Sequence, residues 1–230
     1  MKPKHIAIIL DGNRRFAKKQ GLEPWKGHDF GAKNVENLLE WCRELGIKEL
    51  TLYTFSTENF NRSRLEVEKL MQLFEKFFTK VKQDKRVMEK GMNMRFVGNL
   101  SLFPENVQKA MQAVMEMTKN NKEFIVNFAM GYGGRAEIVN AVKIIAEKAA
   151  SGKIAFKDID ERLVLNELWL HNEPDMVIRP GGELRLSNFL PYQSTYSELY
   201  FLEKLWPEIT KEDIEKAMEE FETRERRIGR

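Results

Sequence analysis

Cysteine is nearly absent from this sequence. Cys42 is the single cysteine among 230 residues, so an internal disulfide is excluded. It falls on the apolar side of a helical pattern, where we expect a buried and unreactive thiol. Long apolar runs are absent too, because no segment reaches the ~18 residues of a membrane-spanning helix. The run that follows M-K-P-K is too short for a signal peptide, and we therefore expect a cytoplasmic protein.

A strong charge of one sign is also missing. The formal net charge is only +3, so the total gives no ground for a nucleic-acid function, which would need a concentrated basic face. What the chain does contain is 42% apolar and 32% charged residues. This composition fits one sizeable α/β domain over residues 1–230 better than two small domains.

Strand and helix patterns alternate along the chain. The predicted strands are Ile6–Leu10, Glu49–Phe55, Met92–Val97, Glu123–Met130, Asp175–Arg179 and Glu198–Leu202. The predicted helices are Asp29–Leu45, a long one through Val67 and Val81, one opened by Pro104, Arg135–Ala150, one capped by Asp160 and ending at His171, and Lys211–Arg227. Such alternation favours a largely parallel sheet of about six strands wrapped by helices.

The first strand ends abruptly in Asp11-Gly12-Asn13. Carboxyl ends of parallel strands are where open α/β sheets bind ligands. Glycine lets the backbone approach an anion, and the first helical N–H groups point at it. Asp11 would repel that anion unless a metal lay between them, which suggests a Mg²⁺-bridged phosphate or diphosphate. The alternative is an Asp-Gly turn with Asn13 as a helix N-cap.

Other polar side chains gather at neighbouring strand ends. They are Asp11, Asn13, Arg14 and Arg15 after the first strand, Ser56, Glu58, Asn59 and Arg62 after the second, Arg179, Arg185 and Ser187 after the penultimate, and Glu198 entering the last. Any one of them could be a solvated surface residue. Together they predict two anion sites and one metal site, and arginine suits the anions because its fork binds phosphate oxygens in bidentate fashion.

Several segments match the motifs of one protein family, in the same order along the chain. They are D-G-N-x-R (Asp11–Arg15), Gly27-His28, F-S-T-E-N-F-N-R (Phe55–Arg62), G-Y-G-G-R (Gly131–Arg135), and V-I-R-P-G-G-E-L-R-L-S-N-F (Val177–Phe189) followed by S-E-L-Y-F (Ser197–Phe201). This set resembles the cis-prenyltransferases, the undecaprenyl diphosphate synthase family. The resemblance implies Mg²⁺-dependent condensation of isopentenyl diphosphate onto an allylic diphosphate, with farnesyl diphosphate as the expected starter and an undecaprenyl-like carrier lipid for the cell envelope as product.

The resemblance also implies roles for residues. Asp11 and Glu198 are expected to handle the metal, and Asn59, with Ser56, to lie near the reacting carbons, where Asn59 assists proton loss. Ser56 and Glu58 are expected to bind substrate. The expected allylic diphosphate ligands are Gly12, Asn13, Arg14, Arg15, His28 and Arg62. The expected isopentenyl diphosphate ligands are Arg179, Arg185 and Ser187. For His28 alone, a cap or surface role would be about as plausible.

The resemblance further predicts an apolar tunnel between sheet and helices, a homodimer, and delivery of product to a membrane with peripheral contact. Candidate tunnel residues are Leu70, Phe74, Phe77, Phe78, Val81, Met88 and Met92, although such a stripe alone is usually ordinary core. The dimer is expected to use Arg135–Ala150 and the C-terminal segment, with Arg224, Arg227 or Gly229 reaching the neighbouring subunit's site.

Two positions depart from the family pattern in charge. Arg14 stands where the family usually has Gly, and Pro24 where it usually has Arg. A positive charge gained at one position and lost at the other suggests a trade within one anion site.

Two other functions remain open from the sequence. Gly131-x-Gly133-x-x-Ala136 satisfies a loose dinucleotide-binding pattern, but it lacks an acidic residue at the end of a following strand ~20 residues on. A non-catalytic subunit of a heteromeric prenyltransferase would keep the fold but lack the first aspartate. Asp11 and Glu198 are both present and favour catalysis.

Overall fold

Six strands form one sheet in which every pair of neighbours runs parallel. The computed structural model describes residues 2–224. The strands are β1 His5–Ile9, β2 Glu49–Ser56, β3 Met92–Val97, β4 Phe124–Tyr132, β5 Met176–Pro180 and β6 Glu198–Leu202, in the spatial order β3-β4-β2-β1-β5-β6. The predicted fold class, a parallel six-stranded sheet wrapped by helices, is confirmed.

Helices connect the strands. They are α1 Asn13–Lys19, α2 Gly27–Glu44, α3 Arg64–Gln83, α4 Lys85–Glu89, α5 Glu105–Thr118, α6 Gly134–Ala150, α7 Glu161–Glu167 and α8 Lys211–Thr223. Within residues 2–224, no helix is both long and apolar enough to cross a membrane.

The central strand β1 is covered on both faces, as its unbroken apolar run predicts. Ile6 and Ile8 join the large core between the sheet and helices α2, α3, α5 and α8. Ala7 and Ile9 join a smaller core on the opposite face. Because β1 lies between β2 and β5, the loops after these three strands meet at one edge of the sheet.

Several helix boundaries differ from the prediction: α2 begins at Gly27 and not at Asp29, and α8 ends at Thr223 and not at Arg227. A third has a clear cause in tertiary structure. The helix capped by Asp160, whose side chain accepts a hydrogen bond from Leu163 N–H, ends at Glu167 and not at His171. Leu168 is extended (ψ 161°), and Leu170 N–H donates to the buried Glu137 carboxylate at 2.9 Å. Tertiary burial of Leu168 and Leu170 thus overrides the helical pattern.

Candidate active site

A cleft of about 870 Å³ opens at the carboxyl edge of the sheet. It is lined by every residue that the sequence predicts for the site except Glu198: Asp11, Gly12, Asn13, Arg14, Arg15, His28, Ser56, Glu58, Asn59, Arg62, Arg179, Arg185 and Ser187. Residues far apart in the sequence therefore meet in one place, and two of the clusters they form are each built around a carboxylate.

The first cluster, here the Asp11 group, consists of Asp11, Arg15, Arg179 and Ser187. The Asp11 carboxylate accepts a hydrogen bond from Arg179 Nη2 at 2.8 Å and lies 3.2 Å from Arg15 Nη2. Arg179 Nη1 donates to Ser187 Oγ at 2.8 Å and to the carbonyl of Arg185. The side chain of Arg179 is only 4% exposed, whereas that of Asp11 is 28% exposed, so a buried cation holds a carboxylate that faces the cleft.

Two features of the Asp11 group indicate a ligand-binding role. Arg179 Nε is buried without a hydrogen-bond partner, and a buried donor left unpaired is costly. The loop that carries Ser187 adopts left-handed backbone angles at three non-glycine residues, Ser187, Asn188 and Leu190 (φ 50°, 66° and 48°). Such conformations are uncommon and concentrate at functional sites.

The second cluster, here the Glu66 group, consists of Arg14, His28, Arg62 and Glu66. The Glu66 carboxylate accepts a hydrogen bond from Arg62 Nη1 at 3.1 Å, and it lies 3.3 Å from His28 Nε2 and 3.7 Å from Arg14 Nε. Burial, and then the charge of Arg62, lower the pKa of His28, while the Glu66 carboxylate opposes them. The alternative role of His28, a helix cap, is not seen, because no side chain caps the start of α2.

Gly12 and Asn13 lie in the sequence between Asp11 of the first cluster and Arg14 of the second. Gly12 adopts a positive φ of 109°, and a Cβ there would lie 2.9 Å from the Leu205 Cβ, so glycine is required by the fold as well as suited to an anion. Asn13 donates to the Leu10 carbonyl at 3.1 Å, but its Oδ1 is buried without a partner. Glycines of α2 pack against Asn13, since a Cβ at Gly31 would come within 2.2 Å of Oδ1.

The loop after β2 is held by a capping box. Ser56 N–H donates to Asn59 Oδ1 at 3.1 Å, and the Ser56 side chain caps the turn Thr57–Asn61 in return. Burial acts to raise the pKa of Glu58, but hydrogen bonds from its own backbone and from Ser56 outweigh burial and lower the pKa. These contacts give the loop a fixed shape, and the role of Asn59 in proton loss stays a prediction.

The structure does not bring Glu198 to Asp11. Glu198 pairs with Met176, which pairs in turn with Ile6, so Glu198 lies roughly 15 Å below Asp11 at ~3.3 Å of rise per residue. The residue that enters a parallel strand lies at the amino edge of the sheet, opposite the cleft. There Glu198 accepts a hydrogen bond from Arg224 Nη1 at 2.9 Å. The expectation that one chain's Asp11 and Glu198 share a metal is therefore wrong.

The same contact accounts for Arg224, which was expected to reach a neighbouring subunit. It is bound within its own chain by Glu198, Glu220 and the Leu199 carbonyl. Arg227 and Gly229 lie outside the described residues.

A divalent cation fits the cleft only together with a substrate. Within residues 2–224, no group of three or more His, Cys, Asp or Glu side chains is placed to hold a metal. Mg²⁺, however, is commonly bound by one or two carboxylates plus substrate phosphates. The exposed oxygens of Asp11 suit that mode, with a diphosphate supplying the remaining oxygen ligands.

An apolar cavity of about 60 Å³ adjoins the cleft. Leu10, Asn13, His28, Thr54 and Leu70 line both spaces, and the cavity continues along Leu73, Phe74, Phe77 and Phe78. A second cavity of about 120 Å³ lies further along α2 and α3 and shares only Phe77 with the first. Val81 and Met92 line it together with charged side chains such as Glu36, Lys80 and Arg86. The predicted tunnel layer is thus two small cavities in this structure. Met88 lines neither and is 46% exposed, so its assignment to the lining is wrong.

The sequence-based prediction missed several residues that contact its site, among them Lys18 and Tyr53 in the cleft lining, Glu66 and Asn188. Glu66 completes the pattern Ser63-x-x-Glu66, a capping-box signature, and that signal marked only a helix start. Asn188 lies in the quoted motif. Its side chain donates to Glu58 at 3.2 Å and accepts from Arg135 N–H at 2.9 Å.

The Asn188 contacts also speak against a dinucleotide site. The first N–H groups of α6 would have to bind the pyrophosphate, but Gly134 N–H donates to the Asn188 carbonyl at 2.8 Å and Arg135 N–H to its side chain. A Cβ at Gly133 would lie 2.7 Å from Thr57 Oγ1. The glycines of this motif therefore serve loop packing.

Comparison with known proteins agrees with this geometry. Residues 9–229 match the family model described as "Putative undecaprenyl diphosphate synthase". The chain is 51% identical over 230 residues to the tritrans,polycis-undecaprenyl-diphosphate synthase (geranylgeranyl-diphosphate specific) of Pyrococcus abyssi, covering 99% of this chain and 87% of the relative. It is 47% identical over 232 residues to the enzyme of the same name from Methanocaldococcus jannaschii, with coverage of 99% and 83%.

The fold has solved counterparts as well. The crystal structure of lavandulyl diphosphate synthase from Lavandula x intermedia in complex with dimethylallyl diphosphate matches with a TM-score of 0.96 at 35% identity, over 100% of this chain and 99% of the other. Fold and cleft thus define a prenyltransferase, an enzyme that transfers prenyl groups between diphosphates. More narrowly, the chain belongs to the undecaprenyl diphosphate synthase family of cis-prenyltransferases.

Proposed function

We propose that this enzyme condenses isopentenyl diphosphate repeatedly onto geranylgeranyl diphosphate, with cis geometry and Mg²⁺, to make an undecaprenyl-like carrier lipid for the cell envelope. The observation that carries the proposal is the junction of a cleft lined by arginines with an apolar cavity. A prenyl diphosphate has the same two parts. Geranylgeranyl diphosphate replaces farnesyl diphosphate as the starter because the names of the archaeal relatives specify it.

We propose sites for the two diphosphates from the position of the apolar cavity. His28 lines both the cleft and the cavity, so the long allylic substrate would place its diphosphate at the Glu66 group and its hydrocarbon tail beside Leu70 and Phe74. Isopentenyl diphosphate has a short carbon chain and would bind at Arg179, Arg185 and Ser187. Arg15 lies with Arg179 on Asp11, so it would stand between the two substrates.

The reaction breaks one bond and forms another. The allylic carbon–oxygen bond breaks, and the diphosphate departs with the electron pair. The terminal alkene carbon of isopentenyl diphosphate bonds to the allylic carbon, and loss of a proton from that unit restores a double bond. Arg14 and Arg62 would stabilise the departing charge, and apolar side chains of the adjoining cavity would exclude water from the carbocation-like carbon.

Asp11 would hold the Mg²⁺ together with diphosphate oxygens. When bound, the ion supplies further stabilisation of the charge that develops on the leaving group. Asp11 also keeps Arg15 and Arg179 in place, so the carboxylate orders the cationic side of the cleft before any substrate arrives.

Incubation with isopentenyl diphosphate, Mg²⁺ and one allylic starter at a time tests the proposal, with mass analysis of the products. We expect elongation of geranylgeranyl diphosphate to exceed that of farnesyl and dimethylallyl diphosphate. No elongation of any starter would refute the function, and arrest after one or two additions would replace a carrier lipid with a short-chain product.

The small cavities bear on product length. A long chain would need more space than about 60 Å³, so we propose that the cavities on either side of Phe77 join as the product grows. Phe77→Ala should therefore shift the product distribution to longer chains, and an unchanged distribution would remove Phe77 as a barrier.

We also propose a cytoplasmic homodimer that passes its product to a membrane by peripheral contact. Exposed Val139 and Val142 on α6, 53% and 55% exposed, support this helix as the subunit interface. Sedimentation should give a dimer at micromolar concentration, and Val142→Glu should weaken it. A monomeric wild-type protein would contradict the assignment.

A further inference from the structure

We infer that Glu66 is the positioning residue of the allylic diphosphate site: its buried carboxylate holds Arg62, His28 and Arg14 in the arrangement that receives the substrate. This role rests on the proposed function, because it assigns the allylic diphosphate to these three side chains.

The three contacts come from three different elements. Arg62 follows the turn after β2, His28 lies in the first turn of α2, and Arg14 lies in α1. Their side-chain nitrogens lie 3.1, 3.3 and 3.7 Å from Glu66 oxygens. Glu66 itself belongs to the first turn of α3, so one carboxylate joins four segments around the mouth of the apolar cavity.

The Glu66 carboxylate is buried and is not a solvated surface group. The Glu66 side chain is 7% exposed, and a buried carboxylate is retained at low cost only where it is paired and hydrogen-bonded. A neighbouring pair gives the contrast. Arg64 and Glu68 form the same i,i+4 contact at 2.8 Å on the same helix, but their side chains are 93% and 53% exposed.

Helix capping does not explain the Glu66 side chain. In a capping box the glutamate reaches back to the N–H of the cap residue. Here the Ser63 side chain accepts from Glu66 N–H at 3.4 Å, but the Glu66 carboxylate turns to Arg62 and His28. Substitution of the Glu66 side chain leaves the hydrogen bond from Glu66 N–H to Ser63 Oγ in place.

The Glu66 charge has two opposing effects on a diphosphate. It repels the anion, but it also fixes long cationic side chains that would otherwise lose conformational freedom on binding. Arg62 donates a hydrogen bond to Glu66 through Nη1 alone. The contact therefore orders the guanidinium but leaves Nη2 and Nε to donate to phosphate oxygens. Without Glu66, binding would have to order two or three such side chains, which costs free energy. We expect this saving to outweigh the repulsion from a partly neutralised carboxylate, so that Glu66 strengthens allylic binding.

Calorimetric titration tests this inference, with geranylgeranyl diphosphate and inorganic diphosphate as separate probes and no isopentenyl diphosphate present. Glu66→Gln keeps the shape and removes the charge, Glu66→Asp keeps the charge, and Glu68→Gln is the matched control on the same helix. We expect Glu66→Gln to raise the Kd of both probes about tenfold. The Kd values of Glu66→Asp should lie between those of Glu66→Gln and the wild type. The Kd values of Glu68→Gln should match those of the wild type. In steady state, the KM for the allylic substrate should rise while the KM for isopentenyl diphosphate stays unchanged.

Three outcomes would overturn the inference: unchanged or tighter probe binding by Glu66→Gln, an equal rise of both KM values, or a Glu68→Gln variant that behaves like Glu66→Gln. An equal rise of both KM values would indicate general loss of structure. If the wild type elongates no starter, the proposed function fails, but inorganic diphosphate binding by the variants still tests Glu66.

Discussion

The Asp11 group and the Glu66 group are built alike and differ in the burial of their parts. Each has one carboxylate that holds cationic side chains at 2.8–3.2 Å and 3.1–3.7 Å, respectively. In the Asp11 group Arg179 is 4% exposed, whereas Asp11 is 28% and Arg15 47% exposed. In the Glu66 group the carboxylate is 7% exposed, and Arg14, Arg62 and His28 line the cleft around it. The Asp11 group thus presents a carboxylate together with a cation to a ligand, whereas the Glu66 group covers its carboxylate.

This difference separates two kinds of chemistry within one cleft. An exposed carboxylate can take a divalent cation, whereas a covered carboxylate can only order its neighbours. Arg14, Arg62 and His28 line the cleft around Glu66 and suit an anion that must bind and leave. Variants that exchange or weaken these features test the comparison.

The largest effect is expected from Asp11→Asn, which keeps a hydrogen-bond acceptor for Arg179 but removes the charge that would hold Mg²⁺. Loss of metal stabilisation is worth several kcal/mol, so kcat should fall by about 10³-fold or more. Steady-state assays at saturating Mg²⁺ measure this, with circular dichroism as the control for folding. An unchanged kcat would remove Asp11 from the reaction.

Arg179→Lys should have the next largest effect, because a lysine cannot reproduce the fork that reaches Asp11 and Ser187 together. A hydrogen bond to a charged group is worth about 1.5–3 kcal/mol, so the KM for isopentenyl diphosphate should rise by roughly ten- to hundredfold. The allylic KM serves as the internal control. If it rises equally, the two groups are not separate sites.

A smaller effect is expected from Arg14→Gly, because Arg14 is 57% exposed and lies 3.7 Å from Glu66. Allylic affinity should fall by about 0.5–1 kcal/mol, while isopentenyl diphosphate affinity stays the same. Pro24 lines the same cleft, so adding Pro24→Arg should recover the loss. A thermodynamic cycle over the four proteins measures this coupling, and additive effects would refute the charge trade.

The smallest expected effect is a pH dependence of stability that arises from His28 in the Glu66 group. Burial and Arg62 lower the pKa of His28 below its ordinary value of 6.5, so the unfolded chain binds more protons than the folded one as the pH falls through 6.5. Stability is therefore full above that pH and decreases below it. Burial also lowers the pKa of His5, which adds to the loss.

Urea unfolding of wild type and His28→Gln at about pH 7.5 and about pH 5.5 measures the contribution of His28. The variant should lose less stability on acidification than the wild type does. His5→Gln is the comparison variant at the other edge of the sheet. If His28→Gln loses as much stability on acidification as the wild type, the loss arises from other groups.

Local patterns were enough to predict the fold and most of the cleft. The apolar run of β1 and the polar residues that follow β1, β2 and β5 fix which side chains meet, since parallel strands bring their carboxyl ends together. The prediction failed for a residue whose position within its strand determines which edge of the sheet it occupies. Glu198 begins β6, whereas Asp11, Ser56 and Arg179 lie at or just after the carboxyl ends of their strands. That difference places Glu198 at the opposite edge of the sheet.

Glu66 could not be found in this way, because its role depends on three-dimensional neighbours. Its sequence signal, a glutamate three residues after Ser63, is fully accounted for by a helix start. Only packing of α2 beside α3 brings His28 to the same carboxylate as Arg62. The end of α7 has a similar cause, since the partner of Leu170 is Glu137, distant in the sequence.

The contact between Asp11 and Arg179 joins residues 168 positions apart, and this separation has a consequence for synthesis. A ribosome adds about 5–20 residues per second, so Asp11 is made roughly ten to thirty seconds before its buried partner. During that time β1 also lacks β5 on one side, while Arg14, His28, Arg62 and Glu66 are already present. A nascent chain therefore contains all four residues of the Glu66 group long before it contains Arg179 and Ser187, and a chain stopped before residue 179 keeps only Asp11 and Arg15 of the Asp11 group.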